Sequence, residues 1–257
     1  MASAPATFAP AVGDRIQGLK RAAILPALNE ETSIGRVIEE IRAYDPGFEI
    51  VVVDDGSTDA TAAVAAEHGA RVLRLPFNLG IGGAVQTGYR YALEHDFDVA
   101  VQIDGDGQHD PMELPKILAP VVADEADVVI GSRFAGLGSY RAPRVHRLGM
   151  RVFARLVSLV VGQPLTDTSS AFRAVNRRGL RVFSADYPHG YLETVEATVL
   201  AAKSGLRLKE VPVSMRGRAA GESSLTLGRS LFYAAKVLVA VFVGLFRGSR
   251  IHVEEER

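Results

Sequence analysis

Short, almost wholly apolar runs punctuate this chain at residues 22–25, 50–53, 71–75 and 99–103, with a further one at 127–130. Each ends in polar or glycine-rich residues. Between the first four lie segments 33–44, 59–68 and 82–95, whose apolar positions recur at helical spacing. Alternation of this kind belongs to βαβ units, and strands without a polar face belong to a parallel sheet covered on both sides by helices. The pattern predicts a single α/β domain with a Rossmann-like, doubly wound, mostly parallel sheet. Ser57 or Thr58 is the expected cap of the second helix. After residue 130 the rhythm changes to a glycine-rich loop at 136–138 and an arginine-studded helical stretch at 144–161. A strand at 169–175, a helix at 190–203 and a strand at 206–213 complete the reading, with no internal repeat or long linker.

The composition fits a folded domain: 47% of the 257 residues are apolar and 23% charged. Lysine plus arginine (29) nearly cancels aspartate plus glutamate (30), so overall charge does not suggest a nucleic-acid surface. The absence of cysteine removes disulfides and thiolate metal sites and leaves oxygen or imidazole as metal ligands. Residues 1–18 are rich in alanine, proline and glycine, lack the cationic start of a secretory signal, and are expected to form a flexible arm.

In a doubly wound sheet, ligands bind beyond the carboxyl ends of the strands. The polar clusters fall there. The sequence Asp104-Gly105-Asp106-Gly107-Gln108-His109-Asp110 follows the apolar run 99–103 directly. Carboxylates one residue apart can both reach a hard divalent cation, glycines let a diphosphate approach the backbone, and Gln108 adds a neutral oxygen. A plain acidic turn or a calcium loop is the bland alternative. The calcium loop is weakened because Pro115 stands where its glutamate belongs. A second cluster, Asp54-Asp55-Gly56-Ser57-Thr58-Asp59, follows the run 50–53; helix capping explains Ser57 and Asp59 but not Asp54 and Asp55. A third, Pro26-Ala27-Leu28-Asn29-Glu30-Glu31, follows the first strand. His109 and His146 sit among residues typical of surface histidines and receive no role.

These three clusters together resemble the family 2 glycosyltransferases, especially their polyprenyl-phosphate (dolichol-phosphate) sugar synthase branch, over roughly residues 19–246. The resemblance implies a GT-A type fold. It places the nucleotide sugar on Pro26, Ala27, Leu28, Asn29, Glu30, Asp54, Asp55 and Gly80, together with Asp104, Gly105 and Asp106. It implies Mg2+ or Mn2+ held by Asp104, Asp106 and Gln108. Gly131-Ser132-Arg133-Phe134 resembles the branch's phosphate-binding arginine motif, and Asp167-Thr168-Ser169-Ser170-Ala171-Phe172-Arg173 its acceptor-side segment. Arg133, Arg144, Ser169 and Arg173 are the acceptor-phosphate residues on that basis. Arg218 matches a loop arginine that reaches the diphosphate, although Ser224 stands where a lysine is common. Asp104, Asp106, Arg133 and Arg218 form the catalytic set.

Arg144, Arg147 and Arg151 share one helical face, of which only Arg144 is assigned to the crevice. The run 231–246 is almost wholly apolar and flanked by Arg229, Arg247 and Arg250. At ~1.5 Å per residue it falls well short of a ~30 Å bilayer core, so residues 229–250 are read as a helix packed in the protein or an oligomer, or lying in a membrane interface. The catalytic domain is bounded at 19–228. The expected enzyme is cytoplasmic and peripheral at the inner face of the membrane, docked on lipid or on a membrane protein, and a homo-oligomer is an open possibility.

The activity these residues imply is inverting transfer of a sugar from a nucleoside diphosphate to a polyprenyl phosphate, an acceptor already ionised at neutral pH. If the acceptor is instead a sugar hydroxyl, a base is needed, and Asp167 or Glu193 is the candidate. A nucleotide-sugar-binding protein without turnover is the reading from another class. A nucleotidyltransferase is disfavoured, because Pro26 to Glu30 stands where its glycine-rich loop with lysine belongs.

Overall fold

A computed structural model describes residues 15–135, 154–189 and 193–216. Residues 1–14 of the expected arm, the 136–138 loop, Arg144, His146, Arg147, Arg151, Arg218 and the 229–250 segment lie outside the described residues.

The apolar runs form strands. β1 (Arg21–Ala27), β2 (Phe48–Asp54), β3 (Arg71–Arg74), β4 (Val99–Gln102), β5 (Val128–Ser132), β6 (Arg173–Asn176) and β7 (Leu208–Pro212) make one sheet in the order β3-β2-β1-β4-β6-β5-β7. β6 runs antiparallel to both of its neighbours and all other pairings are parallel. β1 is central and buried along its whole length. Its alternate residues feed two separate cores, as the period of a strand requires. Ala23, Leu25 and Ala27 point to one side, toward α1 (Ile34–Tyr44) and α4 (Leu114–Val122). Ala22 and Ile24 point to the other, toward α3 (Ile81–Glu94), α5 (Arg177–Ala185) and α6 (Glu193–Lys203). α2 (Thr61–Glu67) links β2 to the edge strand β3. The doubly wound sheet expected from the sequence is therefore present.

Local chemistry explains most helices. Ile34, Val37, Ile38 and Ile41 of α1 recur at spacings of three and four and are all buried; each such side chain contributes about 1.5–3 kcal/mol through burial. On α3, a Cβ at Gly88 would stand 2.3 Å from Cγ2 of Ile24, so glycine sets how closely this helix sits on β1. α4 is the instructive exception. Pro115 lies in its first turn, where no helical N–H is needed, but Pro120 lies inside and removes an internal hydrogen bond. That interior proline costs about 3 kcal/mol. Burial of Leu114, Ile117, Leu118 and Val121 offsets it, at about 1.5–3 kcal/mol each.

The second half is tied down by charge. Arg207 at the start of β7 donates from Nε and Nη2 to Asp127 before β5, at 3.1 and 2.9 Å, and its backbone N–H adds a third bond at 2.8 Å.

Candidate active site

The carboxyl ends of β1, β2 and β4 lie side by side, with Ala27 paired to Asp54 and Ile24 to Gln102. This placement brings the three polar clusters to one edge. The first two are laced together by side chains. The Asn29 N–H donates to Ser57 Oγ at 3.0 Å, the Thr58 N–H to Asn29 Oδ1 at 2.9 Å, and the Glu30 N–H to Thr61 Oγ1 at 2.8 Å. Asn29 adopts a left-handed backbone (φ 56°), which asparagine tolerates better than most residues. Ser57 and Thr58 therefore do not cap the helix, contrary to the sequence reading. α2 begins at Thr61, and Asp59 Oδ1 accepts the Thr61 N–H at 2.9 Å.

Asp54 and Asp55 are 1% and 4% exposed. Asp54 Oδ1 accepts the Ser57 N–H at 3.0 Å, and its Oδ2 lies 3.5 Å from Arg74 Nε. Asp55 Oδ1 accepts the Leu79 N–H at 2.7 Å, fastening the loop that leads to Gly80. Gly80 precedes α3 with φ 82°, a conformation that favours glycine, and nothing lies within 4 Å of where its Cβ would be. Pro26 and Ala27 are buried, whereas Leu28 and Asn29 are exposed.

The acidic loop after β4 stands directly against the first cluster: a Cβ at Gly105 would meet the Pro26 carbonyl oxygen at 3.4 Å and Ala27 Cβ at 3.6 Å. Asp104 and Asp106 are partly exposed. The Gln108 N–H donates to Asp106 Oδ1 at 3.0 Å, and its side-chain amide donates to Asp106 Oδ2. The loop is fastened from outside as well. The Arg216 N–H donates to the Gln108 carbonyl at 2.9 Å, while its guanidinium contacts Asp110 at 3.0 Å and also Glu40.

Hard oxygen donors of this kind fit Mg2+ or Mn2+. Such ions are commonly held by one or two carboxylates and completed by water and phosphate oxygens, not by a full protein cage. Among the described residues, no group of three or more histidine or acidic side chains is placed to hold a metal ion. A two-carboxylate site open to a diphosphate needs no such group.

His109, read from the sequence as an ordinary surface histidine, requires a correction. It is 4% exposed, not a surface residue; its Nδ1 accepts the Asp104 N–H at 3.0 Å, and its ring stacks on Phe172 with centroids 4.8 Å apart. No local signal separates a buried histidine from an exposed one in such a polar loop.

Arg133 and Ser169, which the resemblance assigns to an acceptor phosphate, are brought together. Arg133 Nη2 donates to Ser169 Oγ at 2.6 Å and to Asp167 Oδ1 at 2.8 Å, and its Nε donates to Asp167 Oδ2 at 2.7 Å. Burial pushes the Asp167 carboxyl up, but these bonds and the guanidinium charge outweigh it and hold the group below the usual carboxylate range. That corrects one expectation, since a carboxylate so held is a poor general base. Glu210 supports the same segment by accepting the Thr166 and Asp167 N–H groups, each at 2.7 Å.

Arg173 requires a further correction. The sequence reading placed it on the acceptor phosphate, yet it is 0% exposed. Its Nε donates to the Ser170 carbonyl at 2.9 Å, and its Nη2 to the Thr194 carbonyl at 2.6 Å and Thr198 Oγ1 at 3.1 Å. As the register partner of Gln102 it points into the interior beside α6. From there its charge acts on the buried Tyr187 and Glu193. Burial pushes the Glu193 carboxyl above its usual range; Arg173 opposes the shift, and Asp104 and Glu196 reinforce it.

The chain has relatives among known proteins. Residues 22–183 match the family model described as glycosyl transferase family 2. An undecaprenyl-phosphate mannosyltransferase of Micrococcus luteus is 32% identical over 220 residues, covering 80% of this chain and 87% of that protein. A UDP-N-acetylglucosamine–dolichyl-phosphate N-acetylglucosaminyltransferase of Methanococcus voltae is 30% identical over 237 residues, covering 84% and 94%. Among solved structures, glucosyl-3-phosphoglycerate synthase of Mycobacterium tuberculosis, crystallised with Mn2+, UDP and glucosyl-3-phosphoglycerate, superposes with a TM-score of 0.71. Its identity is 22%, with 97% of this chain and 88% of that one covered. At that identity the likeness establishes the GT-A type fold alone.

Proposed function

We propose, on the premise that this chain belongs to glycosyltransferase family 2, that it transfers a hexose from a nucleoside diphosphate sugar to a polyprenyl phosphate, with inversion at the anomeric carbon. The relatives named for undecaprenyl and dolichyl phosphate acceptors support the acceptor class. The observation that carries the reading is the commitment of Asp167 to Arg133, which turns a candidate base into the anchor of a phosphate-binding cation. The remaining oxygen of Asp55 and the backbone of residues 26–30 hold the nucleoside. Asp104, Asp106 and Gln108 hold Mg2+ or Mn2+, which when bound supplies Lewis-acid stabilisation of the leaving diphosphate. Arg218 adds a cation to the same diphosphate.

Arg133, Ser169 and Arg144 orient the acceptor phosphate. One of its oxygens forms the new bond to the anomeric carbon while the bond from that carbon to the diphosphate oxygen breaks, and the electron pair leaves with the nucleoside diphosphate. An ionised phosphate carries no proton to remove, so positioning suffices. The catalytic domain spans residues 19–228, with 1–18 an arm and 229–250 an apolar segment at the membrane interface. A lipid acceptor places the enzyme at a membrane surface, at its cytoplasmic face, on lipid or a membrane partner, as a monomer or homo-oligomer. No helix among the described residues is long and apolar enough to cross a membrane.

A second reading, transfer to a sugar hydroxyl, draws support from Glu193, whose raised pKa suits a general base. The deciding experiment incubates purified protein with polyprenyl phosphate, a panel of nucleotide sugars, and Mn2+ or Mg2+ against chelator. Metal-dependent lipid-linked sugar is the expected product. Donor binding with transfer only to hydroxyl acceptors overturns the phosphate reading, and absence of donor binding overturns the enzyme.

A further inference from the structure

We infer that His109 is a positioning residue for Asp104, holding its backbone N–H through Nδ1 of a buried, stacked ring, so that divalent-cation binding depends on this imidazole. The inference rests on the reading of Asp104 as a metal ligand. His109 closes the acidic loop on itself: its Nδ1 accepts the N–H of Asp104, five residues earlier, at 3.0 Å. A neutral imidazole that accepts at Nδ1 carries its proton on Nε2, so the hydrogen bond fixes the tautomer. That Nε2 lies 3.7 Å from Asp104 Oδ2. That distance is too long for a hydrogen bond, so the imidazole holds Asp104 through its backbone N–H.

The ring has little freedom to do otherwise. It is 4% exposed, stacks on fully buried Phe172 at an interplanar angle of 14°, and its backbone forms an antiparallel bridge with Met215. Phe172 immediately precedes β6, so the loop is referred to the sheet through the imidazole. Groups that orient metal-binding carboxylates in this way commonly change metal affinity ten- to a hundredfold when replaced.

The competing account is that His109 only fills space against Phe172. Three substitutions separate the two. His109→Phe keeps an aromatic ring on Phe172 and removes both nitrogens; His109→Asn keeps an acceptor near the position of Nδ1; His109→Gln keeps an amide near Nε2 only. Mn2+ binding is read by electron paramagnetic resonance, alone and with UDP or GDP, alongside thermal unfolding. The expected result is a loss of roughly tenfold or more in Mn2+ affinity for His109→Phe and His109→Gln, with His109→Asn recovering a large part of it. His109→Phe or His109→Gln, if folded and binding Mn2+ like the wild type, overturns the inference. Failure of the underlying reading looks different, because wild type and Asp104→Ala would then bind Mn2+ equally.

Discussion

Arg133 and Asp167 meet through three hydrogen bonds: the Arg133 N–H and Nε to Oδ2 at 3.0 and 2.7 Å, and Nη2 to Oδ1 at 2.8 Å. The carboxylate therefore aims the guanidinium as well as compensating it. Asp167→Asn keeps one acceptor oxygen and removes the charge. We expect KM for polyprenyl phosphate to rise roughly tenfold, since a charge-assisted pair contributes about 1.5–3 kcal/mol and the neutral amide retains only part of it. Donor KM should change little. An equal rise in both constants in steady-state kinetics would mean that the pair supports the fold and not the acceptor.

Asp106→Ala and Asp104→Ala test the metal assignment. Each should lower metal-dependent transfer by more than about a hundredfold while circular dichroism and cooperative unfolding stay native. Full activity in either variant would remove the metal role assigned to that residue.

Glu193 decides between acceptors. Its pKa is raised by burial, so the folded state is penalised for carrying the charge once the pH exceeds the unfolded value. Glu193→Gln removes the charge, and its melting temperature at pH 8 should equal or exceed that of the wild type. Transfer to polyprenyl phosphate should survive in this variant, because that acceptor needs no base. Loss of turnover in a stable Glu193→Gln protein would favour a hydroxyl acceptor.

Acid stability follows from the buried ion pairs. Burial raises the carboxyls of Asp127 and Asp167, but hydrogen bonds from Arg207 and Arg133 outweigh it and hold both below the ordinary value of 3.8. A depressed folded pKa means that the stabilisation is fully present above the unfolded value and is lost as pH falls through the folded one. Urea midpoints should be level from pH 7 to about 5 and decline below about 4. Arg207→Gln should lower the midpoint at pH 7 and flatten its decline in acid. A midpoint unchanged between wild type and variant at both ends would rule out this coupling.

Gly88→Ala sets two effects against each other. Alanine gains about 1 kcal/mol of helix propensity over glycine. The added Cβ, however, meets Ile24 Cγ2 at 2.3 Å against a fully buried central strand, and overpacking of that kind costs about 1–3 kcal/mol. The contact is short enough to place the penalty at the upper end, so we expect net destabilisation in chemical denaturation. A more stable variant would show that α3 can move off β1.

The strands β1, β2 and β4 and the polar turns after them were legible in the sequence, because a buried parallel strand followed by carboxylates is a local pattern of adjacent residues. So were α1 and α3, whose apolar residues repeat every three or four positions. The helix α4 was not read, because Pro115 and Pro120 speak against it locally and only the core beneath Leu114, Ile117 and Leu118 outweighs them. α5 was also missed, although Asn176 caps it and Leu180 and Phe183 recur at helical spacing.

What tertiary structure decided was which polar side chains stay partly exposed at the strand ends and which are committed to holding the loops in place. Arg133 finds Asp167 thirty-four residues away, Arg207 finds Asp127 eighty residues away, and Arg173 turns inward because it shares a register position with Gln102 on an antiparallel neighbour. A polar residue near a strand end carries the same local signal whether it points into the crevice or into the core. The order of the strands chooses between them, since it fixes which distant groups can satisfy each charge.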